Sequence, residues 1–317
     1  MIDPLASRFP NIRGARRAAG LWSSFAGAVG LPPCRTVPMR LGHKLILDRR
    51  SITERGAFYF GRYDDEQIDN ICCLLAKESY FIDVGANVGF FSIAVGLRCK
   101  QKRCRVLAFE PAPGNFARLK KNIALNGLED IVVVVRAGLS SAQGTAALTL
   151  REDYASGSST GNASIQIDDG ADKVWNKVEV PIITLDDYWK NEPIGLIKVD
   201  IEGHEDEFLR GAQGALLACR PIIYLEVNNV YFKRKNKSLD AACEYLVGVG
   251  YSKWREKWWE KKGSIPEPVQ NLDTFTTLEN VWMVPEEATP AFLDVKVKSG
   301  SRRLLSRASR LGFGKWQ

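Results

Sequence analysis

A short apolar run ending in an acid carries the first chemistry in the sequence. In "YFIDVGANVGFF" (80–91) the chain runs apolar to Asp83, turns through Gly85, Ala86, Asn87 and Gly89, and becomes apolar again. An acid at a strand end followed by Gly-x-Asn-x-Gly sets backbone against a ligand at the carboxyl edge of a parallel sheet, where such sheets bind ligands. A pyrophosphate turn needs a second glycine where Asn87 stands and a third where Phe90 stands, so a dinucleotide is disfavoured. Asp83 repels phosphate and suits an ammonium or sulfonium. The next strand ends at Glu110, whose carboxylate can accept two hydrogen bonds from a ribose diol. The helix N-terminus at 88–90 can receive a carboxylate. A cationic amino acid joined to a ribose means S-adenosylmethionine. The plainer reading, a tight turn capped by Asp83, explains the glycines but leaves the Asp83–Glu110 pairing unused. The expected cofactor contacts are Asp83, Gly85, Ala86, Asn87, Gly89, Glu110, Pro111, Leu139 and Ser140.

A second group of chemical residues follows a later strand, in "KVDIEGHE" (198–205). A sulfonium methyl is already activated, so an enzyme must chiefly align an acceptor oxygen, exclude water and take a proton. Asp200 ends the strand, Glu202 lies in the turn, and Gly203 lets the chain bend into a helix. His204, one of only two histidines, can change charge near neutral pH. His204 or Asp200 is the expected general base, with Glu202 binding the acceptor or orienting the histidine. Glu205, Asp206 and Glu207 suit the positive end of the following helix and are given that role alone. Asp186, Asp187, Asp200, Glu202 and Glu226 form an oxygen-rich set that could gather around magnesium or manganese. No spacing demands a divalent metal, and none is expected.

These residues need a frame, and the pattern supplies one. "YFIDV" (80–84), "RVLAFE" (105–110), "IVVVVRAG" (131–138), "IGLIKVD" (194–200) and "RPIIYLEVN" (220–228) read as continuously apolar strands. Between them, 88–98, 113–127 and 205–217 read as helices. Such alternation argues for a parallel sheet covered on both faces. Before it come a strand pair over 36–47 and a helix from Asp64-Asp65 to Leu75. Residues 139–150 read as a hairpin pivoting at Gln143-Gly144, and 152–173 as a long Gly/Ser/Asp loop of the kind that is usually functional or disordered. Asn162-Ala163-Ser164 in that loop has the form of a glycosylation sequon, which nothing else supports. Residues 178–189 read as a strand turning a polar corner, 238–249 as a helix, and 250–258 and 279–284 as final strands. The organisation expected is an N-terminal extension and lead-in strand (1–50), one α/β domain of about seven strands (51–290) and a basic tail (291–317).

Bulk properties narrow the partners. Of 317 residues, 45% are hydrophobic and 10% aromatic, the composition of an ordinary globular chain with a sizeable core. The net charge of +7 is uneven: residues 1–40 carry +5, residues 295–317 carry seven basic residues and no acid, and the body between is at −5. A nucleic-acid groove in the body is not signalled. RNA methylation using the basic ends as arms is the alternative function. Against it, the fourth strand ends in "VDIEGHE" where amino-methylating enzymes carry an Asn/Asp-Pro-Pro-aromatic clamp. Leu304, Leu305, Ala308 and Leu311 would lie on one side of a helical tail with arginines opposite, which suits an anionic membrane surface or an acidic polymer, though a frayed basic tail without a partner is the slightly preferred reading. Seven cysteines without CxxC pairs suggest a reducing, cytoplasmic setting. "RGARRAAGLWSSFAGAVGLPP" mimics a targeting peptide but reads better as a surface helix ended by Pro32-Pro33. Trp254, Trp258 and Trp259 could stack a sugar ring, though a hairpin packing its indoles on the body is the preferred reading.

The order of "FIDVGANVGFFS", "FEPAPGNFARLKKNIALNG", "ITLDD" and "IKVDIEGHE" resembles the FkbM family of S-adenosylmethionine-dependent methyltransferases over roughly residues 55–230. The first motif is shared by many methyltransferases; the last is fairly specific to this family. The resemblance implies a class I methyltransferase (Rossmann-like) fold, a doubly wound sheet ordered 3-2-1-4-5-7-6 with an antiparallel C-terminal strand. It also implies methylation of a hydroxyl, often on a sugar or a secondary metabolite. A small-molecule or glycan acceptor is therefore the expected partner.

Overall fold

The computed structural model describes residues 15–151, 157–158, 160–165, 176–234, 236–259 and 263–295. Helix α1 (Ala15–Ala28) precedes an antiparallel pair, β1 (Cys34–Pro38) and β2 (Lys44–Asp48), and then α2 (Ile52–Phe60) and α3 (Asp65–Leu74). Strand–helix alternation begins with β3 (Tyr80–Val84), α4 (Phe90–Lys102), β4 (Arg105–Phe109), α5 (Pro113–Leu125) and β5 (Val132–Val135). Four strands follow outside that sheet: β6 (Gly138–Leu139), β7 (Gly144–Leu150), β8 (Ala163–Ile165) and β9 (Asn176–Ile183). A turn of helix, α6 (Leu185–Tyr188), leads to β10 (Ile194–Val199), then α7 (Glu205–Gly211) and α8 (Gln213–Cys219). The chain continues through β11 (Ile222–Val227), α9 (Asn229–Arg234), α10 (Leu239–Gly248), β12 (Tyr251–Trp259), β13 (Gly263–Pro268) and β14 (Glu279–Pro285).

The main sheet is ordered β5-β4-β3-β10-β11-β14-β12-β13. Numbering its first seven members by chain position gives 3-2-1-4-5-7-6, the class I methyltransferase order. Strands β5, β4, β3, β10 and β11 are parallel, and β14 runs antiparallel between β11 and β12. The order reverses between β3 and β10, and that is where a ligand crevice opens in such a sheet. Alternate side chains fill two cores. Phe81, Leu196, Tyr224 and Trp282 pack with α3, α4 and α5 on one face. Ile82, Val84, Ile197, Val199 and Leu225 pack with α7, α8 and α10 on the other. Val37, Leu45 and Leu47 of the leading strand pair share the first core.

Several sequence expectations need correction. Residues 139–150 do not form a hairpin: β9 lies between β6 and β7, pairing parallel with the first and antiparallel with the second. Part of the Gly/Ser loop is strand β8, paired with β7. The helix expected over 205–217 breaks at Ala212. The backbone of Ser140 approaches so closely that a Cβ on Gly211 would stand 1.9 Å from its carbonyl oxygen. An eighth strand, β13, extends the sheet edge, its Pro266 and Pro268 suited to an edge position. Trp254 packs on Phe292, ring centroids 6.0 Å apart, and its Nε1 donates to Ser252 Oγ. The side chains of Trp258 and Trp259, and the tail with Leu304, Leu305, Ala308 and Leu311, lie outside the described residues.

Candidate functional site

The loops at the carboxyl ends of β3, β4, β10 and β11 enclose a cavity of about 280 Å³ at the point where strand order reverses. Its floor is the glycine turn. Gly85 and Ala86 both donate their N–H to Phe109 O at 3.0 Å, and Asp200 N donates to Val84 O, so three strand ends are tied together. Gly85 sits at φ +76°, and a Cβ there would stand 2.1 Å from Asp200 O. Gly85→Ala is therefore expected to destabilise the fold by at least about 1–2 kcal/mol from the left-handed backbone alone, with the backbone clash on top. Urea unfolding reads this directly, and a variant as stable as the parent would contradict the close approach. Asn87 is also left-handed, at φ +52°, and turns its Oδ1 back to accept Val88 N. Gly89 does a different job: a Cβ there would meet Leu119 at 2.6 Å, so its absence lets α4 pack on α5.

Glu110 closes one end of the cavity. Its carboxylate accepts Asn87 N and Ala112 N, each at 2.8 Å, and Asn115 Nδ2 at 3.4 Å. Burial pushes its pKa up to about 7, against the pull of these donors. Asn115 also grips the roof, donating to Gly161 O at 3.0 Å while its Oδ1 accepts Gly161 N at 2.9 Å. Pro111, Leu139, Leu148 and Ile165 add the apolar wall beside Glu110.

The opposite end is acidic. Asp200, Glu202 and Glu226 line the cavity, each half-buried, with one oxygen apiece lying within 4.8 Å of the other two. Burial first, and then the like charges of Asp200 and Glu202, push Glu226 up to about 9. Lys198, buried in β10, is the cation among them. Its Nζ donates to Gly85 O at 3.0 Å and lies 3.4 Å from Asp200 and 3.5 Å from Asp83. Burial works against its charge, but Asp200, Asp83 and Glu226 together raise its pKa. Tyr63 lines the same end, its ring stacked on Phe90 at 3.8 Å, and burial keeps its hydroxyl protonated well above the usual range.

Of the residues singled out in the sequence, Gly85, Ala86, Asn87, Glu110, Pro111, Leu139, Asp200 and Glu202 line the cavity. Asp83, Gly89, Ser140 and His204 do not. Asp83 lies beneath the turn, accepting Ser92 Oγ at 2.5 Å and facing Lys198. His204 is buried, and its Nε2 lies 3.0 Å from Ser140 Oγ, a tie between two loops. Of the five acids considered as metal ligands, three converge. Asp186 instead accepts Gly214 N and Ala215 N, and Asp187 accepts Thr184 Oγ1 and Gln143 Nε2. Lys198, Tyr63, Asn115 and Thr53 were not anticipated. A lysine inside the apolar strand "IGLIKVD" was the one signal that could have found Lys198.

The roof is held from upstream. Thr53 lines the cavity and donates its hydroxyl to Asn162 Oδ1 at 2.9 Å, and Thr160 donates to the buried carboxyl of Glu54. Glu54 Oε2 in turn accepts Asp48 N at 2.7 Å, and Ser158 Oγ donates to Asp48 Oδ2 at 3.1 Å. Burial pushes Glu54 up to about 7.

Residues 83–253, just over half of the chain, match the family described as the Methyltransferase FkbM domain. "Methyltransferase sdnD" of Sordaria araneosa is 30% identical over 167 residues, 43% of this chain and 61% of that protein. "Hexuronic acid methyltransferase AglP" of Haloferax volcanii is 33% identical over 145 residues, 44% of this chain and 53% of that protein. The chain thus spans 53% to 61% of the length of these curated relatives. The crystal structure of Methyltransferase FkbM from Methylobacillus flagellatus KT aligns at a TM-score of 0.38 with 17% identity, covering 65% of this chain and 43% of that one.

Proposed function

The chain belongs to the FkbM methyltransferase family, and from that premise we propose that it transfers a methyl group from S-adenosylmethionine to a hydroxyl oxygen of a saccharide or related natural product. One observation carries the reading. A single cleft has Glu110 at one end, three carboxylates at the other, and a glycine turn between them. The bound cofactor supplies an activated sulfonium methyl.

The residues fit that group. Glu110 presents a carboxylate to the cleft for a ribose diol, and Leu139, Leu148 and Ile165 offer an apolar wall for the base. The side-chain-free Gly85 lets the β3 turn close on the backbone of Asp200, which sets the cleft floor, and the acid-rich end favours a cation. Asp83 supports this arrangement from below by anchoring Lys198. In the proposed mechanism Asp200 and Glu226 together take the acceptor's proton, and Glu202 and Tyr63 orient the acceptor hydroxyl. His204 is assigned a positioning role through Ser140, because neither residue lines the cleft. The three carboxylates have the chemistry to hold a hard divalent ion, but no step of the proposal requires one.

Charge narrows the acceptor. The Haloferax relative is named for a hexuronic acid, whose carboxylate would here face Asp200, Glu202 and Glu226. Like charges at such range repel strongly in a partly buried site, so the acceptor proposed is an uncharged sugar hydroxyl. The same acids argue against nucleic acid. A cytoplasmic setting is part of the proposal and accords with all seven cysteines being free. No helix among the described residues is long and apolar enough to cross a membrane.

Because Glu226 holds its proton up to about 9, kcat at saturating cofactor should climb with pH and level off only above that value. Glu202→Gln removes a like charge and should move the rising limb to lower pH. A flat profile, or a limb that moves upward, would remove Glu226 from the proton path. The broader reading is tested by incubating the protein with isotopically labelled methyl donor and a panel of saccharides and polyketides. Binding without transfer would overturn the reaction; no binding would overturn the cofactor.

A further inference from the structure

Helix α1 has two apolar faces, and the described structure uses only one. Ala19, Ser23 and Ala26 are buried, and the helix packs against α2. Ser23 Oγ donates to Arg49 O at 3.1 Å, and the Arg49 guanidinium donates to Ser23 O and Leu31 O at 2.7 Å each. The other face is exposed among the described residues. Leu21, Phe25 and Val29 are 75%, 55% and 43% exposed. Their spacing of four residues puts them on one stripe of the helix, which continues to Val29 through its N–H bond to Phe25 O. Trp22 braces the stripe with its ring 5.4 Å from Phe25. Ile52, which opens α2, adds a fourth large apolar side chain at 59% exposure. An exposed apolar stripe of this kind marks an interaction surface.

The surrounding charge says what it meets. Residues 4–47 contain seven lysines and arginines and no acid, and residues 295–317 repeat that composition, while the body is negative. An apolar stripe set in a wholly basic segment complements a surface that is anionic outside and apolar beneath. A second copy of the chain would oppose basic segment to basic segment. The helix has 14 residues, about 21 Å at 1.5 Å per residue, too short for a hydrocarbon core of about 30 Å. It fits a helix lying in the interface plane. We propose that the exposed stripe of α1 is a docking face for anionic phospholipid membranes.

The test is co-sedimentation of the full chain with phosphatidylcholine vesicles carrying about a third phosphatidylglycerol, beside pure phosphatidylcholine vesicles. The chain should prefer the anionic vesicles, and raising salt to about 0.5 M should weaken but not abolish the binding, since screening spares the apolar part. Leu21→Gln with Phe25→Gln should lower the partition coefficient about tenfold, with the urea midpoint unchanged as the check on folding. The double variant binding as well as the parent would overturn the proposal, leaving the basic ends to act alone. So would a concentration-dependent dimer, abolished by the same variant, in a chain that ignores vesicles. Neither outcome depends on methyl transfer, so the proposed function stands or falls separately.

Discussion

Glu110→Ala is expected to weaken S-adenosylmethionine binding by at least about a hundredfold, from the loss of two hydrogen bonds to a charged group at about 1.5–3 kcal/mol each. The substitution also strips Asn87 N and Ala112 N of their acceptor, so the turn loses its anchor as well as the ligand its partner. Isothermal titration would read the change, and Glu110→Gln removes the charge while keeping one acceptor oxygen, enough for one of the two turn N–H groups. There is a pH signature. Ribose hydroxyls donate to the ionised carboxyl, whose pKa in the free protein is about 7. Binding should therefore release a proton, and affinity should fall about tenfold per unit as pH drops below that value. Glu110→Gln should abolish the slope. An alanine variant that binds as tightly as the parent would remove the central support of the cofactor reading.

Lys198→Met should cost stability on the scale of breaking a buried ion pair, about 3–5 kcal/mol. Asp83 is almost fully buried and has Lys198 as its cation, while Asp200 and Glu226 lose the charge that offsets their own repulsion. Adding Asp83→Asn to Lys198→Met should recover part of the loss, because the stranded carboxylate is then gone; that recovery is the coupling a double-mutant cycle measures. Urea midpoints of the four proteins decide it. A single variant within about 1 kcal/mol of the parent, the range of an exposed pair, would mean that Asp83 and Lys198 are independent.

The glycine turn at the floor of the cleft was legible because it is local. The turn from Asp83 to Gly89 and the acid at Glu110 are each fixed by one strand end, and the apolar runs of β3, β4, β10 and β11 stood where the pattern put them. What failed was pairing at a distance. Nothing in residues 139–150 says that β9 will slip between β6 and β7, since that choice is made by a strand some thirty residues later. The break at Ala212 depends likewise on Ser140 pressing on Gly211 from another loop. His204 was chosen for its chemistry, and its contact with Ser140, 64 residues away in sequence, is one that the sequence does not announce. Lys198 was passed over for the opposite reason: a charge in a core strand looks like an anomaly until Asp83 and Asp200 are seen on either side.

The roof of the cleft has a consequence for anyone wishing to borrow this protein. Ser158, Thr160 and Asn162 belong to the stretch that matches the family, but Asp48, Glu54 and Thr53, to which they are respectively bonded, precede it by about thirty residues. The catalytic unit is thus not portable at its homology boundaries. Grafted without its anterior collar into a chimera, it would keep its floor and lose its ceiling.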